Sequence, residues 1–235
     1  MSDRPADGTT VIPGCEPVLL PVQGEARGFP VHRIYCVGRN YAAHAREMGH
    51  DPDREPPFFF QKNPDNLHYR GGELPYPPAT TDLHHEVELV VALAAGGCDI
   101  PTVRARECVY GYAVGLDMTR RDLQAEAKRL GRPWAVAKAF EHSAPCGPVV
   151  PAATIGHPER GAICLDVNGE RRQDGDLAQM IWKVPEMIRI LSTLFTLKPG
   201  DLIMTGTPAG VGAVQRGDRL HARIEGVGEL ETAIG

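Results

Sequence analysis

The chain has 235 residues, 42% hydrophobic and 23% charged, which is enough to bury a full core. Its formal net charge of −5 and its lack of a basic run argue against general nucleic-acid binding. No apolar run approaches membrane-spanning length, no signal peptide opens at Met1, and the six cysteines form no C-x-x-C pair, so a cytoplasmic protein with reduced thiols is expected.

Glycine (26) and proline (21) fall between short apolar runs, which points to many strands and turns. Residues 1–30 read as a loosely attached lead-in with an edge strand, and residues 31–235 as the main domain. Val31 to Val37 is a strand. Asn40 then looks like the N-cap of a short helix, Tyr41 to Met48, closed by Gly49. On that helix His44 and Glu47 lie three residues apart, as in a general-base dyad whose carboxylate orients the imidazole, although any surface helix carries such pairs. The helix is short and a Gly/Asp/Pro-rich stretch follows, so a mobile segment is expected. Phe58 to Lys62 reads as a buried strand with a polar tip.

Asp82 to Leu93 contains a strand on which Glu86 and Glu88 share one face. Two adjacent carboxylates disfavour ionisation unless a cation sits between them, and oxygen donors without cysteine suit Mg²⁺, Mn²⁺ or Ca²⁺. Taken alone, the E-x-E pair reads more simply as a solvated face. Tyr110 to Leu116 is a strand with Asp117 at its end. Thr119 caps the next helix, with Asp122 placed as in a capping box and Leu123, Ala127 and Leu130 as the apolar stripe. Arg121 and Gln124 lie one turn apart near its start, where an anion is favoured. Trp134 to Phe140 reads as a strand carrying Lys138 in apolar company.

Ala162 to Gln173 is a hairpin about Asn168-Gly169, a pair that suits a type I′ turn. Pro185 opens a helix with Ile188, Leu191 and Leu194 on its core face. Asp201 to Thr205 is a strand leading into the Gly206–Gly212 loop, which lacks the features of a phosphate or dinucleotide site. The tail from Arg219 to Ile234 is a hairpin.

Gly38-Arg39-Asn40-Tyr41, His44 with Glu47, His85-Glu86-Val87-Glu88, Gly115 to Thr119, Lys138 and Gly206 to Gly212 together resemble the fumarylacetoacetate hydrolase family, in the right order from about residue 31 to the C-terminus. The likeness is closest to its acylpyruvate hydrolases. The resemblance implies an α+β, mainly β fold, a mixed β-sandwich roll with few helices, in a homodimer. It implies that Glu86, Glu88 and Asp117 ligate one Mg²⁺ or Mn²⁺ per subunit, that His44 and Glu47 activate water on a lid, and that Lys138 stabilises an enolate. It places Arg121, Gln124 and Thr207 at the keto-acid end of a small dicarboxylic substrate, and Arg39 and Lys62 toward its far carboxylate. The expected reaction is hydrolysis of the C–C bond of an acylpyruvate, fumarylpyruvate in aromatic catabolism. Oxaloacetate decarboxylation or tautomerisation on the same scaffold is the alternative within enzymes, and a silent metal- or acid-binding module the alternative outside them.

Overall fold

The apolar runs become the middle of one sheet. The structure is a computed structural model that describes residues 12–14, 16–42 and 56–235. Six strands lie side by side in the order Val150–Pro151, Val109–Leu116, Val87–Leu93, Asp201–Met204, Arg33–Gly38 and Phe58–Lys62. Neighbours are antiparallel except Asp201–Met204 and Arg33–Gly38, which are parallel. Successive side chains point to opposite faces, and both faces are covered. Tyr35, Val37, Leu89, Val91, Val114 and Ile203 join one core; Ile34, Cys36, Val90, Ala92, Ala113 and Met204 join another. A strand buried on both sides reads as a continuous apolar run, as Val87–Leu93 does.

The first core is closed by a five-stranded sheet in the order Glu170–Asp176, Ala162–Val167, Arg219–Ile224, Gly228–Ile234 and Glu73–Leu74. Its Ile163, Leu165, Leu220 and Ala222 face inward, and the helix Val184–Leu194 adds Met187, Ile188 and Leu191. The second core is closed by Leu20, Val22, Phe29 and Val149. A third sheet is small: Leu83–His85 lies between Thr119–Arg120 and Gly212–Val214. The fold is thus mainly β, several sheets layered with short helices, as the sandwich-roll expectation has it. Asn168 and Gly169 both have positive φ, 53° and 82°, as a type I′ turn requires. No helix among the described residues is long and apolar enough to cross a membrane.

Several expectations need correction. In the lead-in, Leu19–Leu20 pairs with Phe29–Pro30, Val149 N donates to Pro21 O at 2.8 Å, and Leu20, Val22 and Phe29 are buried while residues 23–28 are exposed. Residues 1–11 lie outside the described residues. The helix that Asn40 is expected to cap, Tyr41 to Met48 with His44 and Glu47, lies mostly outside the described residues. The Asn40 amide clamps two distant segments, donating to Thr205 O (2.8 Å) and accepting from Trp182 N (2.7 Å). Phe58–Lys62 is the edge of its sheet, so its phenylalanines are half-buried while the polar tip, Lys62, is buried. The run after Trp134 forms a short helix, Ala135–Lys138, rather than a strand, because a short alanine-rich apolar run fits either period.

The helix Arg121–Arg129 begins after a strand rather than at a Thr119 cap, and Asp122 bonds the Thr80 hydroxyl (2.6 Å) and Thr81 N (3.1 Å). Its buried face is Gln124 and Ala127, with Leu130 exposed. Leu194 is likewise exposed at the end of its helix, whose buried face is Val184, Met187, Ile188 and Leu191.

Candidate active site

Strand register assembles the carboxylates. Val87 pairs with Leu116 and Glu88 with Gly115, so one step outward Glu86 faces Asp117, whose N–H donates to Glu86 O at 2.8 Å. Glu88 has the parity of Val90 and Ala92, and Asp117 that of Ala113, so both emerge on the face of the second core. There, at the strand ends, the apolar cover stops. Glu86, Glu88 and Asp117 are all buried, each offering an oxygen within 4.8 Å of the others.

Three cations lie against them. Lys138 Nζ donates to Asp117 Oδ2 (2.6 Å), Glu86 Oε2 (2.9 Å) and the Thr119 hydroxyl (2.6 Å). Arg121 donates to Glu86 Oε1 (2.5 Å) and to Gln124 Oε1 (2.7 Å), which the helix holds one turn away. Lys62 Nζ lies 2.8 Å from Asp117 Oδ1 and donates to the carbonyls of Met118 (3.3 Å) and Lys138. It forms the buried floor of the cluster. The resemblance puts Lys62 toward the far carboxylate of a substrate; here its ammonium lies beneath the cleft lining, on Asp117 and two carbonyls.

Glu88 is different. Among the described residues no cation bonds it, and Oε2 accepts Gly206 N–H at 2.9 Å. Burial, with Asp117 and Glu86 close by, drives its carboxyl well above the usual carboxylate range. Burial alone would push the Lys138 ammonium down, but Asp117 and Glu86 outweigh it and hold the group above its ordinary value. An under-neutralised glutamate beside two further buried carboxylates, with an all-oxygen donor set, fits a hard divalent ion held by Glu86, Glu88 and Asp117.

A cleft opens over this cluster. Arg39, Phe58, Gln124, Lys128, Trp134 and Thr207 line it together with the three carboxylates, Arg121 and Lys138. Of the residues expected from sequence, the structure therefore joins Glu86, Glu88, Asp117, Arg121, Gln124, Lys138, Thr207 and Arg39 around one space. Two groups escaped the sequence reading. Gln173, fully buried, accepts from Val87 N (3.0 Å), lies 3.0 Å from His85 Nδ1, and donates to the Thr207 hydroxyl (2.7 Å) and Pro208 O (2.9 Å). It sits in the polar run Glu170 to Asp174 and carries no local signal of burial. Lys128 did have a signal: with Arg121 and Gln124 it follows the i, i+3, i+7 spacing of one helix face.

The family model for the fumarylacetoacetate hydrolase C-terminal region matches residues 33–235. A fumarylpyruvate hydrolase from a Ralstonia species is 45% identical over 190 residues, covering 80% of this chain and 98% of that protein. A mitochondrial oxaloacetate tautomerase from Arabidopsis thaliana is 44% identical over 199 residues, covering 85% and 89%. The crystal structure of fumarylpyruvate hydrolase from Pseudomonas aeruginosa in complex with Mn²⁺ and pyruvate superposes with a TM-score of 0.94 at 54% identity, covering 96% of this chain and 99% of that one.

Proposed function

This chain belongs to the fumarylacetoacetate hydrolase family, and on that footing we propose that it hydrolyses the C–C bond of an acylpyruvate, converting fumarylpyruvate and water to fumarate and pyruvate with the help of one Mg²⁺ or Mn²⁺. The observation that carries the reading is the three-carboxylate cluster interlocked with Lys138 and Arg121 at the base of a cleft. The Mn²⁺ and pyruvate of the Pseudomonas aeruginosa relative support it.

Glu86, Glu88 and Asp117 would hold the ion, which when bound supplies positive charge to the keto-acid oxygens. Arg121 and Gln124 orient the pyruvate carboxylate, and Thr207 bounds the same end. His44, oriented by Glu47, takes a proton from water at an imidazole nitrogen; both residues lie outside the described residues. The resulting hydroxide attacks the C4 carbonyl, and the C3–C4 bond breaks with its electron pair left on the pyruvate fragment. Lys138, whose donors are held by Glu86, Asp117 and Thr119, sets its positive charge beside the enolate oxygen of that fragment, where charge develops. Return of the proton to C3 completes fumarate and pyruvate.

Tautomerisation of oxaloacetate is the second reading, favoured by the Arabidopsis thaliana relative. It needs the enolate-stabilising half of the site and no attacking water. Rates on fumarylpyruvate, acetylpyruvate and oxaloacetate, followed by loss of enol absorbance, separate the two. Hydrolysis is expected to fall on the order of 10²–10⁴-fold in His44→Ala, with oxaloacetate turnover retained. A wild-type enzyme that leaves both acylpyruvates intact would sink the hydrolase reading. The reading further places the enzyme in the cytoplasm as a homodimer in aromatic catabolism; sedimentation at working concentration checks the dimer.

A further inference from the structure

The cleft holds more positive charge than its metal-facing end employs. Arg121, Lys138 and Lys62 are each bonded to Glu86 or Asp117. Lys128 also lines the cleft, yet its ammonium has no hydrogen bond or ion pair among the described residues. It rests instead 5.2 Å from the centroid of the Trp134 ring. Trp134 meets Phe58 edge-to-face at 5.3 Å, and Arg39 lies 5.2 Å over the Phe58 ring. Two cations and two aromatic rings thus form one continuous wall. Aromatic faces are weak partners for an exposed ammonium, about 0.5–1 kcal/mol, and leave its hydrogen-bond donors open.

Resting on the acylpyruvate reading above, we propose that Lys128, with Arg39 beside it, binds the carboxylate at the far end of the acyl group, so that the enzyme selects acylpyruvates whose acyl chain ends in an anion. Helical rise places Lys128 seven residues and ~10 Å along the axis from Arg121. A seven-carbon diacid anchored by its keto-acid end at Arg121 spans that separation, whereas the methyl of acetylpyruvate stops short of it. The flat walls of Trp134 and Phe58 suit a planar, conjugated acyl chain between the two poles. Burial pushes the Lys128 ammonium down to about 8, with Arg121 and Arg39 adding to the shift and Glu86 opposing it. Lys128 is a specificity residue here, remote from the bond that breaks.

The test compares wild type with Lys128→Met and Lys128→Arg in the metal-loaded enzyme. Lysine and methionine have similar helix propensity, and the residue sits on the open side of its helix with its ammonium at the cleft, so the fold is expected to persist. KM for fumarylpyruvate should rise on the order of tenfold in Lys128→Met, the loss of one charge-assisted contact, and stay near wild type in Lys128→Arg. KM for acetylpyruvate should stay within about twofold in both. A binding arm uses fumarate against crotonate, which replaces one carboxylate by a methyl: calorimetry should show wild type preferring fumarate and Lys128→Met without that preference. Equal changes on both substrates, or no change on either, would overturn the assignment. If the wild type hydrolyses neither acylpyruvate, the function reading has failed, and the fumarate–crotonate preference alone decides the role of Lys128.

Discussion

Gln173 shows how much one buried amide can position. Its four polar contacts link the strand that carries Glu88 to the loop that carries Thr207. Gln173→Ala would leave Val87 N–H and the Thr207 hydroxyl without these partners, and each unsatisfied buried group costs about 1–3 kcal/mol. The expected outcome is a loss of roughly 2–4 kcal/mol in denaturant unfolding, with a weaker hold on the keto-acid end read as a higher KM. Glu88 gives a second prediction at this scale. Its carboxyl is held well above the usual carboxylate range, so a cation bound there competes with a proton. Mn²⁺ binding should release protons, measured by calorimetry in buffers of different ionisation enthalpy, and affinity should weaken as pH falls. Binding with no proton release would show that Glu88 is already ionised.

At the scale of the element, the loop after Asp201–Met204 is shaped by one glycine. Gly206 has φ +91°, and a Cβ there would lie 2.7 Å from Asn40 Cβ. Only glycine adopts this backbone freely, and the conformation aims the Gly206 N–H at Glu88. Gly206→Ala should therefore destabilise the fold by at least 1–2 kcal/mol, about the strain of such a φ. It should also weaken Mn²⁺ binding, since the donor that orients Glu88 shifts. Thermal unfolding with and without Mn²⁺ reads both, and an unchanged metal-induced shift in Tm would argue against the orienting role. The loop's glycines were visible in the sequence, but their purpose was not. The motif looked like a failed phosphate site, because its partner, Glu88, lies 118 positions away in the chain.

For the molecule as a whole, acid should be the weak side. His85 is buried beside Gln173, and burial pushes its pKa from 6.5 down to about 4. The folded state therefore resists a proton that the unfolded chain accepts. Stability from this group is fully present above pH ~6.5 and drains as pH falls toward 4, by up to about 3 kcal/mol. His85→Gln should flatten that part of the stability-versus-pH curve measured by urea unfolding between pH 7 and 4; an unchanged slope would assign the acid loss to other groups.

By itself the sequence determined the strands with a clear period and the polar residues they end in. Val87–Leu93, Val109–Leu116, the Asn168-Gly169 hairpin and the C-terminal hairpin stand where their patterns put them, because alternation, apolar runs and turn chemistry are local. Glu86 and Glu88 were readable as neighbours on one face for the same reason. Tertiary structure alone decided what those carboxylates meet. Register set Asp117 across from Glu86, and enclosure made Lys62, the polar tip of its strand, the floor of the site. It also turned Gln173 from a hairpin residue into a core clamp and set the Asn40 amide between two distant segments. Each of these depends on a partner more than thirty residues away, and a distant partner leaves no trace in local spacing. Electrostatics and hydrogen bonding take their strength from burial, and burial exists only once the sheets have closed over one another.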